Sequence, residues 1–211
     1  GSDWKLQKTH LDTARERNAK ILDFGDLFCV MQGKYDRRAS KTDLRAIHQV
    51  DNYLDAVVNT AVDWFSPYAD MFALVAEWNH ESAIRRHHET DPIERFVTTL
   101  NYKNGTQLTK GLYTGYVKFS FKKASGSTRL TPVTLNFTHG YGGGGPVTRG
   151  VIQTNRKAVY LPDAQICVSG HIHESWQVSI PRERVNHKGK IYLDEQEHIC
   201  LPTYKEEYLS P

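Results

Sequence analysis

The side chains best suited to chemistry stand in four short clusters: Gly25-Asp26, Asn79-His80-Glu81, His139-Gly140 and Gly170-His171-Ile172-His173. Carboxylate, amide and imidazole are metal-ligand types, and the chain carries 10 histidines. Each cluster follows an apolar run, at 21–24, 71–76, 133–137 and 165–168. Short apolar runs bounded by turn residues read as strands. Ligand sites in layered α/β proteins lie beyond the carboxyl ends of strands, where a rigid sheet aims loop side chains at a common crevice. With no thiolate among them, these ligands suit Mn, Fe, Zn, Ni or Co rather than a zinc finger or an iron–sulfur cluster. A carboxylate such as Asp26 can bridge two cations through its two oxygens. Two cations about 3.5–4 Å apart can clamp a phosphoryl group and generate a nucleophile at neutral pH.

Taken together, the Gly-Asp, Asn-His-Glu, His-Gly and Gly-His-x-His series resembles the calcineurin-like metallophosphoesterases, over about residues 21–180. The resemblance implies an α/β fold, a layered sandwich of two mixed β-sheets flanked by helices. It implies hydrolysis of a phosphate ester by hydroxide held on two divalent metal ions. Carried over by position, Asp26 bridges the metals, and Asn79, His139 and His171 complete one shell. His173 ligates the other metal. His80 is the catalytic residue, stabilising pentacovalent phosphorus or protonating the leaving oxygen, and Glu81 holds the Asn-His turn from behind.

Two features depart from the family pattern. The family opens with an Asp-x-His motif on a strand before the first helix, supplying two ligands to the metal that His173 binds. Here Asp3 is followed by Trp4-Lys5 and reads as a helix N-cap instead. The expectation is therefore a single domain over 1–211 that lacks its first strand and motif, with one or both metals bound. Trp78 stands where the family usually has Gly, so either the turn differs or Trp78 walls the pocket. The second expectation is a catalytically impaired member serving as a binding module with an incomplete metal site.

The elements needed to position these residues can be read from the pattern. A helix is expected over 6–18, a strand over 19–24 and a polar loop over 31–40. Helical periodicity returns over 42–65 and is closed by Pro67. A covered strand at 71–76 follows, then a helix at 92–100 with Asp91 as N-cap and Pro92 at N1. Strands at 112–121, 133–138, 165–169, 175–180 and 190–201 fill the second half, with a helix near 147–155. Within the polar loop, Arg37 and Arg38 come soon after Asp26. They can meet a substrate phosphate or a nucleic-acid backbone, or simply form a solvated surface. The glycines at 142–145 form a flexible turn or an anion-facing loop, and 85–88 an exposed helix face or, second, a substrate contact.

Composition sets the outer bounds. Of the 211 residues 39% are apolar and 24% charged, the mix of an ordinary globular protein. The net charge of +3 is compatible with an anionic substrate but is no nucleic-acid signature by itself. No apolar run is long enough to span a membrane. Cys29, Cys167 and Cys200 form no C-x-x-C pair and read as buried free thiols, which points to a reducing, cytoplasmic setting. His10, His48, His187 and His198 read as surface or packing residues, and Trp4, Trp64 and Trp176 as core or interface aromatics. The expected partner is a phosphate ester, with a phosphodiester such as DNA or a cyclic nucleotide ahead of a phosphomonoester.

Overall fold

Asp3 accepts a hydrogen bond from the Leu6 N–H at 2.9 Å and opens the first helix, α1 (Trp4–Glu16). This is the N-cap role expected of it, a carboxylate satisfying an orphan amide of the first turn. The computed structural model describes residues 2–28, 44–122, 124–126, 130–140 and 151–205. Its internal contacts divide the chain into two compact units, one of residues 1–113 with 204–211, the other of 114–203.

In the first unit α1 is followed by β1 (Ile21–Asp23), α2 (Tyr53–Phe65), β2 (Phe72–Ala76), α3 (Asn79–His88), α4 (Pro92–Asn104) and β3 (Thr109–Gly111). The three strands form a sheet of order β1-β2-β3, parallel throughout. Central β2 is the apolar run expected there, and its Val75 and Ala76 are completely buried. The core between strands and helices is aromatic. Phe96 of α4 meets Phe28 and Phe65 edge-on at 5.9 Å, and Phe65 meets Phe72 at 5.3 Å. Edge-to-face contact of this kind is the arrangement ring quadrupoles favour. α4 starts as expected: Asp91 takes the Glu94 N–H at 2.9 Å, with Pro92 in the first turn.

Two local expectations need correction. The helix expected over 42–65 starts only at Tyr53, after a 3-10 turn at Ala46–His48. Ile47 and Val50 continue the apolar period, yet both face solvent. His48 turns inward instead and meets Thr60 Oγ1 at 3.0 Å. Strand β3 was not foreseen, because Thr109-Lys110-Gly111 is short and polar and becomes a strand only by pairing with β2.

The second unit holds β4 (Thr114–Lys122), β5 (Leu130–Thr138), α5 (Val151–Tyr160), β6 (Ile166–Ser169), β7 (Trp176–Val185) and β8 (Ile191–Cys200). Their sheet has the order β4-β5-β6-β8-β7. β5, β6 and β8 are parallel, and the edge strands β4 and β7 are antiparallel to their neighbours. The expectation of two mixed sheets thus holds for this sheet, whereas the sheet of the first unit is parallel. Arg182 and Asp194 face each other across β7 and β8 in a two-pronged pair, at 2.9 and 3.1 Å. A fork of that geometry fixes register as well as charge. Among the described residues no helix is long and apolar enough to cross a membrane.

Candidate functional site

In the first unit the candidate residues gather at the carboxyl ends of the parallel strands. Asp23 ends β1, and its Oδ1 accepts the Gly25 N–H at 2.7 Å, which curls the chain into the Gly25-Asp26 turn. Gly25 has φ +105°, and a Cβ built there would lie 1.9 Å from the Trp78 indole. Only glycine meets both demands. Asp26 follows in a left-handed conformation, φ +55°.

β2 delivers Trp78, Asn79, His80 and Glu81. Asn79 is the first residue of α3, so Asn79 and His80 occupy its opening turn. Trp78 has φ −130° and ψ −174°, an extended backbone any residue adopts. A bulky residue at this position therefore imposes no backbone strain. The Trp78 side chain is buried and lies flat over Gly25, which is why that turn can be so close.

Glu81 is the anchor of this turn. Its carboxylate is 1% exposed, and Oε1 accepts the Phe28 N–H at 2.9 Å, tying α3 to the segment after Asp26. Burial pushes its pKa up to about 8, opposed by hydrogen bonds from the Phe28 and Glu81 amides and reinforced by the charges of Asp26 and Asp23. Asp23 is pushed up to about 6, first by desolvation and then by Asp26, with the Gly25 N–H acting the other way. Asp26 thus raises both Asp23 and Glu81, and Asp23 raises Glu81; a cation beside them would act the other way. Tyr113, at the end of β3, belongs to the same set: burial and the charge of Asp26 push its phenol up. Tyr113 falls inside the strand expected at 112–121, where nothing in the local pattern ties it to Asp26.

In the second unit, His139 follows β5 and His171 follows β6. The parallel pairing of the two strands, Thr138 beside Ser169, sets these two ends side by side. The ladder continues past the strands, with the Gly170 N–H donating to His139 O at 3.1 Å. His139 is fully buried, and its Nε2 lies 2.7 Å from His171 Nδ1. That distance suits an N–H···N hydrogen bond with one ring donating. The two rings would have to part slightly for both nitrogens to face one metal ion. Gly140, at φ +94°, lets the chain pass: a Cβ there would be 3.1 Å from Gly170 O. His171 and His173 both have positive φ, +74° and +59°.

The structure thus brings Asp26 and Glu81 together beside the Asn79-His80 turn in one unit, and His139 and His171 together in the other, with His173 two residues on. Arg37, Arg38 and the glycines at 142–145 lie outside the described residues, as does Cys29. Cys167 and Cys200 are buried free thiols as expected. His48 and His198 are buried packing residues, while His10 meets Tyr204 Oη at 2.9 Å near the surface. Among the described residues no three His, Cys, Asp or Glu side chains are gathered closely enough to form a ready metal cage. No family model matches the chain, and neither a curated protein nor a solved structure matches it significantly.

Proposed function

We propose that this chain is a metal-dependent phosphoesterase of the calcineurin-like kind, acting on a phosphodiester such as a nucleic acid or cyclic nucleotide in preference to a phosphomonoester. The observation that carries this reading is where backbone strain falls. Five non-glycine residues have positive φ among the described residues: Asn18, Asp26, Glu89, His171 and His173. Asn18 and Glu89 close helices, where a left-handed residue is routine. The other three are proposed ligands. Left-handed backbone at such residues costs about 1–3 kcal/mol each and persists where function requires it.

The residues present fit a metal. Imidazole nitrogens converge at His139 and His171, and carboxylates crowd around Asp26, with no thiolate in either set. By the resemblance, Asp26 and Asn79 in the first unit and His139, His171 and His173 in the second are the candidate metal donors. Divalent cations there would supply Lewis acidity toward a phosphoryl oxygen and lower the pKa of water. The remaining steps belong to the chain. The amides of Asn79 and His80 open α3, and a helix N-terminus favours an anionic phosphate. His80 would stabilise the pentacovalent phosphorus or protonate the leaving oxygen. Glu81, pinned by the Phe28 amide, holds the turn that carries both residues.

Elemental analysis combined with hydrolysis of bis(p-nitrophenyl) phosphate, with and without added Mn²⁺, tests the reading. The expected result is bound divalent metal and Mn²⁺-stimulated turnover, which His80→Ala abolishes without releasing the metal. His139→Ala should release it. Metal bound without turnover would support the binding-module reading instead, and neither metal nor turnover under any cation would overturn both.

A further inference from the structure

A closed ring of alternating charges joins residues on either side of α3 in sequence to a cation on α3 itself. Glu77, at the end of β2, is 4% exposed and accepts Arg85 Nη1 at 2.8 Å. Arg85, on α3, also reaches Asp91 at 3.8 Å. Asp91, the N-cap of α4, pairs closely with Lys110 of β3. Lys110 completes the ring by reaching back to Glu77 at 3.7 Å and touches Glu94 at 3.6 Å on the way. The two carboxylates bracket α3 in sequence. Glu77 stands two residues before its first turn, and Asp91 comes just after its left-handed C-cap, Glu89.

α3 needs such a device. It has only ten residues, and its N-cap, Trp78, makes no side-chain capping bond. A helix of that length is marginal unless tertiary contacts hold it. Among the described side chains of α3, Ile84 is the buried apolar anchor and Glu81 the buried polar one. Ile84 and the Glu81–Phe28 hydrogen bond hold the helix against the core. The ring adds a third point of attachment, in which one cation from within the helix is shared by carboxylates at its two ends. Lys110 is 16% exposed and Glu77 5% exposed at the side chain, so this part of the ring is shielded from salt. Removing either cation leaves a buried carboxylate short of a partner, which is costly.

We infer that Glu77, Arg85, Lys110 and Asp91 are positioning residues that set the orientation of the Asn79-His80 turn; this rests on the phosphoesterase reading for its catalytic consequence and on the ring itself for its structural one. The test uses the full chain and four variants: Arg85→Met, Arg85→Lys, Lys110→Met, and Val97→Ala as a core truncation in α4 away from the ring. kcat and KM for bis(p-nitrophenyl) phosphate are measured with saturating Mn²⁺, and hydrogen exchange is followed at the amides of α3 and α4. Arg85→Met and Lys110→Met should each lower kcat 10- to 100-fold while KM changes less than threefold. Arg85→Lys should recover most of kcat. Exchange in α3 should rise at least tenfold in both Met variants, whereas Val97→Ala should loosen α4 more than α3 and leave kcat within twofold. A Met variant with kcat no lower than Val97→Ala, or with α3 exchange unchanged, overturns the inference. If the wild-type chain shows no turnover with any cation, the phosphoesterase reading falls, and the exchange data alone still decide whether the ring holds α3.

Discussion

Substituting Gly25 by Ala probes the turn on which Asp26 depends. Two separate terms oppose the methyl group. Gly25 holds φ +105°, outside the small left-handed well open to L-residues, which costs about 1–2 kcal/mol. The new Cβ would also fall 1.9–2.3 Å from three atoms of the Trp78 ring, so the buried indole must move. Overpacking of that kind costs about 1–3 kcal/mol. The expected total is about 2–5 kcal/mol, a large share of the roughly 5–15 kcal/mol that holds a typical domain together. A double-mutant cycle separates the terms. In a Trp78→Ala background the steric part vanishes and only the backbone part remains, giving a coupling energy of about 1–3 kcal/mol. The assay is urea denaturation followed by far-UV circular dichroism, with sucrose present in all four samples so that the weakest variant stays folded. If Gly25→Ala costs the same in both backgrounds within about 0.5 kcal/mol, the close packing of Trp78 on Gly25 is refuted.

Two further outcomes follow from buried titrating groups. His198 is 2% exposed, and desolvation, with the nearby charges of Lys157 and Arg182, pushes its pKa down to about 4 from 6.5. Gln196 donates to the carbonyls of Leu161 and Ala164, so its Oε1 accepts from His198, while desolvation favours the neutral ring. Because the unfolded chain binds this proton first, stability is fully present above pH 6.5 and is lost as pH falls toward 4, by about 3 kcal/mol over the window. Urea titrations at pH 7 and pH 4.5 should show this loss in the wild type and a markedly smaller one in His198→Leu. Glu81, pushed up to about 8, is protonated at neutral pH in the metal-free chain, so Glu81→Gln keeps the acceptor for Phe28 and should change stability in EDTA by less than about 1 kcal/mol. Glu81→Leu leaves that buried amide without its acceptor and should cost about 1–3 kcal/mol, read from the same denaturation curves.

Much of this protein is determined locally and was legible from the chain. Asp3 and Asp91 announce helix starts because an N-cap is a matter of a few consecutive residues, and both perform that role in the fold. The run at 71–76 is short, apolar and bounded by polar residues, which suits a covered central strand, and β2 is one. The candidate ligands could be picked out because each stands directly after such a strand. What sequence periodicity could not convey is anything that depends on a distant neighbour. Ile47 and Val50 keep helical spacing yet face solvent, since no partner surface covers them, and α2 begins later than its pattern suggests. Thr109-Lys110-Gly111 becomes a strand only through β2, and with it comes Lys110, the closing charge of the ion-pair ring. Trp78 looked like an obstacle to a tight turn. In the fold its backbone is extended, and its ring takes the space above Gly25 that any side chain there would need. The residue types of the candidate site were set by sequence; which of them touch, and the strain at Asp26, His171 and His173, were decided by the packing of strands far apart in the chain.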